Sequence, residues 1–68
     1  MNISWKALGE AISKIDGGCN GCISGFCNDL FKLNVFDHAQ METLATQVEI
    51  YGKPTKWNRE KEELEYEY

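Results

Sequence analysis

Asp16–Leu33, DGGCNGCISGFCNDLFKL, holds all three cysteines of this 68-residue chain and three of its six glycines spaced four apart. Cys19, Cys22, Ile23, Phe26, Cys27, Leu30 and Phe31 recur at spacings of three and four. Only the 3.6-residue period brings such positions to one face, so the segment predicts one amphipathic helix with its cysteines on the buried side. Gly17, Gly21 and Gly25 form a line without side chains along the same helix. With Gly17-Gly18 assigned to a turn, Gly21 and Gly25 remain as a small-xxx-small pair. They predict a helix packed closely against them, first within the chain and otherwise in a homodimer or a partner protein.

Upstream, Ile3, Trp5, Leu8, Ala11, Ile12 and Ile15 make a second apolar stripe over about Ile3–Ile15. Gly9, unfavourable by about 1 kcal/mol against Ala inside a helix, points to a close contact there. Gly17-Gly18 can end this helix and Asp16 can cap the next, for which Asn34 is a suitable C-terminal stop. Downstream, Asp37 with Gln40 three residues on is a D-x-x-Q capping box, and Phe36 before the cap is placed to pack on Met41. Met41, Leu44, Ala45, Val48 and Tyr51 continue that stripe until Gly52 and Pro54 stop it.

These segments predict an all-α fold, a compact three-helix domain followed by a short, charged fourth helix or frayed tail from about Asn58 to Tyr66. Residues 1–57 form the expected core domain and 58–68 the acidic end. Trp57, Leu64 and Tyr68 are the only anchors seen in that end, and the three-helix core is expected to stand without the residues after Arg59. The surface scaling law gives about 4,400 Å² for a folded chain of this size. A domain so small needs well-packed helices, a metal, a disulfide or a second subunit to be stable.

Charge narrows the function. Residues 1–59 carry six basic and six acidic side chains, so the whole net charge of −4 lies in the last nine residues, where Glu60, Glu62, Glu63, Glu65 and Glu67 face Lys61 alone. Direct binding of duplex nucleic acid requires a concentrated basic face. The only basic cluster, Lys53, Lys56, Arg59 and Lys61, is interleaved with acids, which argues against it. No apolar run approaches the eighteen or so residues that span a bilayer, and Lys6, Glu10 and Lys14 interrupt any signal-like block. An odd, sparse cysteine set is not a secreted disulfide framework, so a soluble cytoplasmic protein with reduced thiols is expected.

Catalysis has little to stand on. No Ser-His-Asp set or phosphate-binding loop is present, and Gly17-Gly18-x-x-Gly21 lacks both a following Lys and a preceding strand. Cys19 lies where a helix N-terminus lowers a thiol pKa, its one credential as a nucleophile. Cys19, Cys22 and Cys27 with His38 supply the four ligands of a structural zinc site. In a regular helix, however, Cys22 and Cys27 point about 140° apart, so zinc demands a helix beginning near Ile23. The first expectation is therefore no cofactor, with buried cysteines acting as small hydrophobes. A zinc-stapled interaction mini-domain is the alternative, and a redox or metal-carrier role stands third.

The reading that remains is a non-enzymatic inhibitor or adaptor whose acidic end occupies a basic, nucleic-acid-handling surface of a partner protein. Glu60, Glu62, Glu63, Glu65 and Glu67 supply the charge, with Tyr66 and Tyr68 packing beside them. In size and charge, though in no motif, the chain is similar to the small acidic inhibitors that phages deploy against host defence or transcription proteins.

Overall fold

A computed structural model describes residues 3–66 and gives the order α1 (Trp5–Ser13), a 3₁₀ turn (Ile15–Gly18), α2 (Asn20–Lys32), α3 (His38–Ile50), β1 (Thr55–Asn58) and β2 (Glu63–Tyr66). The three helices are as expected in number and order. The fold is nevertheless mixed α/β and not all-α, because the expected fourth helix is the second half of an antiparallel hairpin that pairs Thr55 with Tyr66, Lys56 with Glu65, Trp57 with Leu64 and Asn58 with Glu63. The chain exposes 4360 Å² to solvent, matching the scaling expectation.

The helix ends follow local chemistry closely. Ser4 caps α1, its Oγ accepting from the Ala7 amide at 3.3 Å. Both capping-box bonds close at α3: the Gln40 amide donates to Asp37 Oδ1 at 2.9 Å and the Asp37 amide to Gln40 Oε1 at 3.0 Å. Phe36 and Met41 are both buried in the core. At the other end of α3, the Gly52 and Lys53 amides donate back to the Glu49 and Val48 carbonyls. That is a Schellman motif, and it requires the left-handed Gly52 at φ 92°. α2 ends the same way, with Asn34 at φ 61° and the Asn34 and Val35 amides donating to Phe31 and Leu30.

The start of α2 departs from expectation. Asp16, Gly17 and Gly18 stand at φ 50°, 72° and 87°, so the chain reverses here and the helix begins only at Asn20. α1 likewise stops at Ser13, short of the expected Ile15.

The core comprises Ile12 of α1, Ile23 and Cys27 of α2, Phe36, then Met41, Leu44, Ala45 and Val48 of α3, closed by Trp57 and Leu64 of the hairpin. β1 packs on α3 and β2 on α2. Two polar bonds hold the strands down: Thr55 Oγ1 donates to the Ala45 carbonyl at 2.9 Å, and Asn28 Oδ1 accepts the Leu64 amide at 2.7 Å. The expected boundary at residue 57/58 thus falls inside the hairpin. A chain ending at Arg59 would lack Leu64 and leave β1 unpaired, and the buried cluster of the described residues draws on the helices and the hairpin together.

The glycine that admits a neighbouring helix is Gly9. A Cβ there would lie 2.5 Å from the Gln47 Cβ and 3.0 Å from its backbone carbon, so α1 and α3 approach at this point because the side chain is absent. Gly21 and Gly25 are exposed and an added Cβ meets nothing within 4 Å, so the expected intrachain contact on them is not made. Gly9→Ala is accordingly expected to destabilise by about 1–3 kcal/mol through overpacking. Gly25→Ala is expected to stabilise by about 0.5–1 kcal/mol through helix propensity, both read from urea denaturation.

Candidate functional site

The expected acidic set divides once the hairpin forms. Strand alternation turns Thr55, Trp57 and Leu64 inward and brings half-buried Tyr66 against the core, while Lys56, Glu63 and Glu65 take the outer positions. Tyr66 is therefore a packing residue along one edge of the core. Glu67 and Tyr68 lie outside the described residues.

Around the turn, residues 59–62, the charges are sorted by fixed partners. Asn58 closes the turn, its Oδ1 accepting the Lys61 amide at 3.0 Å while its Nδ2 donates to Glu65 Oε1 at 3.0 Å. Lys61 Nζ lies 3.5 Å from Glu65 Oε2, the pair expected of a helix but made here across the turn. Asn58 and then Lys61 hold the Glu65 carboxyl below the usual glutamate range. Arg59 reaches back to α3 and donates twice to Glu42, each bond 2.8 Å. With Arg59 and Lys61 so engaged, Glu60, Glu62 and Glu63 enter no ion pair among the described residues. Glu62 stands at φ 56°, one of three non-glycine residues in the left-handed region among the described residues.

Beside this turn lies the α2–α3 corner. A shallow concavity is lined by Phe31, Lys32, Asn34, Lys61 and Glu62, and a second one sharing Phe31 and Asn34 continues to Val35 and Gln40. Leu33 is 74% exposed and Val35 51% exposed. Two apolar side chains thus stand in solvent at the corner whose Lys32 and Asn34 share a concavity with Glu62.

The zinc ligands expected as the alternative are not brought together. Cys27 is fully buried in the core, and burial pushes its thiol up to about 12. His38 is engaged elsewhere, its Nδ1 accepting the Trp57 indole N–H at 3.0 Å while its ring lies 4.7 Å from Phe31. Among the described residues no group of three or more His, Cys, Asp or Glu could hold a metal ion. The buried-side expectation holds for Cys27 alone, because the reversal at Asp16–Gly18 leaves Cys19 exposed and Cys22 half-buried.

Cys19 and Cys22 nonetheless meet. Cys19 is the N-cap residue of α2, at φ −59° and ψ 121°. The Cys22 thiol first, and then the Cys22 and Gly21 amides, favour the Cys19 thiolate and lower the Cys19 pKa against desolvation and, less, the charge of Asp16. The Cys22 thiol also reaches Asp16 Oδ2 at 3.2 Å. Its single proton serves one acceptor at a time, and donation to Cys19 and Asp16 raises the Cys22 pKa to about 12. The N-terminal position of Cys19 was legible in the sequence; Asp16 as a thiol partner was not, because its left-handed backbone brings it there.

Chelation is expected to leave the helical circular-dichroism signal unchanged. Cys27→Ser should cost about 1–3 kcal/mol by burying a hydroxyl without a partner, and Cys19→Ser much less.

The Arg59–Glu42 pair predicts a pH dependence. Hydrogen bonds from Arg59 depress the folded-state pKa of Glu42, so its contribution is present above the unfolded glutamate pKa of about 4.3 and is lost as pH falls through the lower folded value. Wild type and Glu42→Gln should therefore differ slightly in urea midpoint at neutral pH and converge in acid, the difference staying small because both groups are solvated.

No protein-family model, curated protein or solved structure matches this chain. The likeness in size and charge to small phage inhibitors accordingly has no relative behind it, and the site stands on its geometry.

Proposed function

We propose that the protein acts by binding another protein, as a non-enzymatic inhibitor or adaptor, and that it does so through the hairpin turn and the adjoining α2–α3 corner. The observation that carries this reading is the set of three carboxylates without ion pairs, Glu60 and Glu62 on the turn and Glu63 at the start of β2, with Glu62 sharing a concavity with Lys32 and Asn34 of the corner that exposes Leu33 and Val35. A hairpin fixed by Trp57, Leu64 and the Asn28 bond presents these charges with little ordering left to do on contact, which lowers the entropic cost of association.

The partner this surface fits is a protein with an apolar patch bordered by Lys or Arg. Carboxylates at the rim speed encounter and reject acidic surfaces, while the leucine and valine supply desolvation at the centre. Duplex DNA offers the wrong charge, and its phosphates would be repelled.

Two variants test the reading by affinity capture with quantitative mass spectrometry. In one, Glu60, Glu62 and Glu63 are all replaced by Gln; in the other, Leu33 and Val35 are both replaced by Ser. A protein retained by wild type should be lost or weakened at least about tenfold with either variant, and its association should slow as salt shortens the Debye length below about 8 Å. Capture of the same proteins by all three forms, with the same salt response, would place the interface elsewhere.

A further inference from the structure

We propose that Cys19 and Cys22 are a surface redox pair that exchanges with disulfide-bonded peptides, Cys19 attacking, Cys22 resolving, and Asp16 orienting the Cys22 thiol. This goes beyond the binding surface, which lies on the hairpin and the α2–α3 corner and uses none of these residues.

Three features of the backbone assemble the pair. The reversal at Asp16, Gly17 and Gly18 stops the chain from entering α2 as a continuous helix, so Cys19 falls at the N-cap, exposed, with the helix N-terminus behind it. Cys22, one turn along, is half-buried and bonded to the Asp16 carboxylate at 3.2 Å. Cys19 itself is exposed, a Cβ at Gly17 or Gly21 on either side of it would meet nothing within 4 Å, and the nearest side chain to its neighbour Gly18 is that of Lys53, whose Nζ would lie 3.0 Å from a Cβ there. The two thiols consequently differ in the way a sequential exchange needs: one open and favoured as thiolate, the other sheltered and kept protonated.

The reaction balances with a disulfide as its only co-reactant. The Cys19 thiolate attacks one sulfur of the incoming S–S bond, which breaks; the mixed disulfide forms and the departing thiolate takes a proton from water. Cys22 then attacks Cys19 Sγ as its proton passes to water, and the second substrate thiolate leaves and takes up a proton from water in turn. Two electrons pass from the Cys19–Cys22 dithiol to the substrate, which is reduced to two thiols, while the pair becomes an intramolecular disulfide. A disulfide needs Cβ atoms about 3.8 Å apart, closer than residues three apart inside a helix. Cys19 lies outside the helical region at ψ 121°, so the bond closes by adjustment of the N-cap and the Asp16–Gly18 reversal, leaving α2 wound. Cys27 takes no part, being fully buried in the core.

Incubation of the reduced protein with oxidised glutathione, followed by acid quenching and intact-mass and peptide mass spectrometry, tests this. Wild type should lose the mass of two hydrogen atoms and yield a Cys19–Cys22 linked peptide with Cys27 free. Cys22→Ser should instead accumulate a glutathione adduct on Cys19. Cys19→Ser should react at least about tenfold more slowly than Cys22→Ser. All three should keep the circular-dichroism spectrum of the reduced protein. A stable glutathione adduct on wild type, a disulfide that includes Cys27, or equal reactivity of the two single variants would each overturn the proposal, as would failure of native wild type to react.

Discussion

Trp57 is where the separate parts of this molecule become one. Its ring lies 5.1 Å from Phe31 of α2, its indole nitrogen donates to His38 in the first turn of α3, and across the hairpin it faces Leu64. A large aromatic with one polar atom suits such a junction, since it buries much apolar area and still needs a single hydrogen-bond partner. The indole N–H can only donate, so His38 Nδ1 serves as its acceptor. The sole histidine of the chain is therefore spent on architecture.

From that junction the placement of charge follows. Because Asn58 pairs with Glu63 beside the Trp57–Leu64 anchor, the chain must turn within the four residues 59–62, and Glu60 and Glu62 are displayed on that turn. Asn58 ties the turn to itself and Arg59 ties it to α3. Arg59 and Lys61 are each paired with a carboxylate, Glu42 and Glu65, so neither is engaged with Glu60 or Glu62. An excess of one sign on a preorganised surface steers encounter with an opposite partner. Leu33 and Val35 gain meaning only beside it, since single exposed apolar residues are common on any protein.

The dithiol rests on a different constraint. Three consecutive left-handed residues are costly for a chain of L-amino acids unless glycine fills most of them, and here only Asp16 bears a side chain. That side chain is the one bonded to Cys22. The reversal thus does two things at once: it ends the approach from α1 and it sets a carboxylate against a thiol at the head of α2.

What the sequence by itself determined were the features governed by neighbours a few residues apart. Asp37 with Gln40, Gly52 before Pro54, and Asn34 after Leu33 each satisfy backbone groups locally, so the limits of α3 and the end of α2 were legible. The stripe Met41, Leu44, Ala45 and Val48 likewise named the buried face of α3. Tertiary structure decided the rest. Residues 58–66 carry strong helix formers and the Lys61–Glu65 spacing of a helical ion pair, yet Trp57 and Leu64, seven apart, serve a cross-strand pair as well as two helical turns. The pair wins because Ala45, Asn28 and His38, all distant in sequence, receive Thr55, Leu64 and Trp57. The same holds for the glycines. Their spacing marked Gly21 and Gly25, but a close approach depends on where another helix lies, and α3 lies against Gly9. Periodicity reports the faces of an element; only the packed chain assigns each face its neighbour.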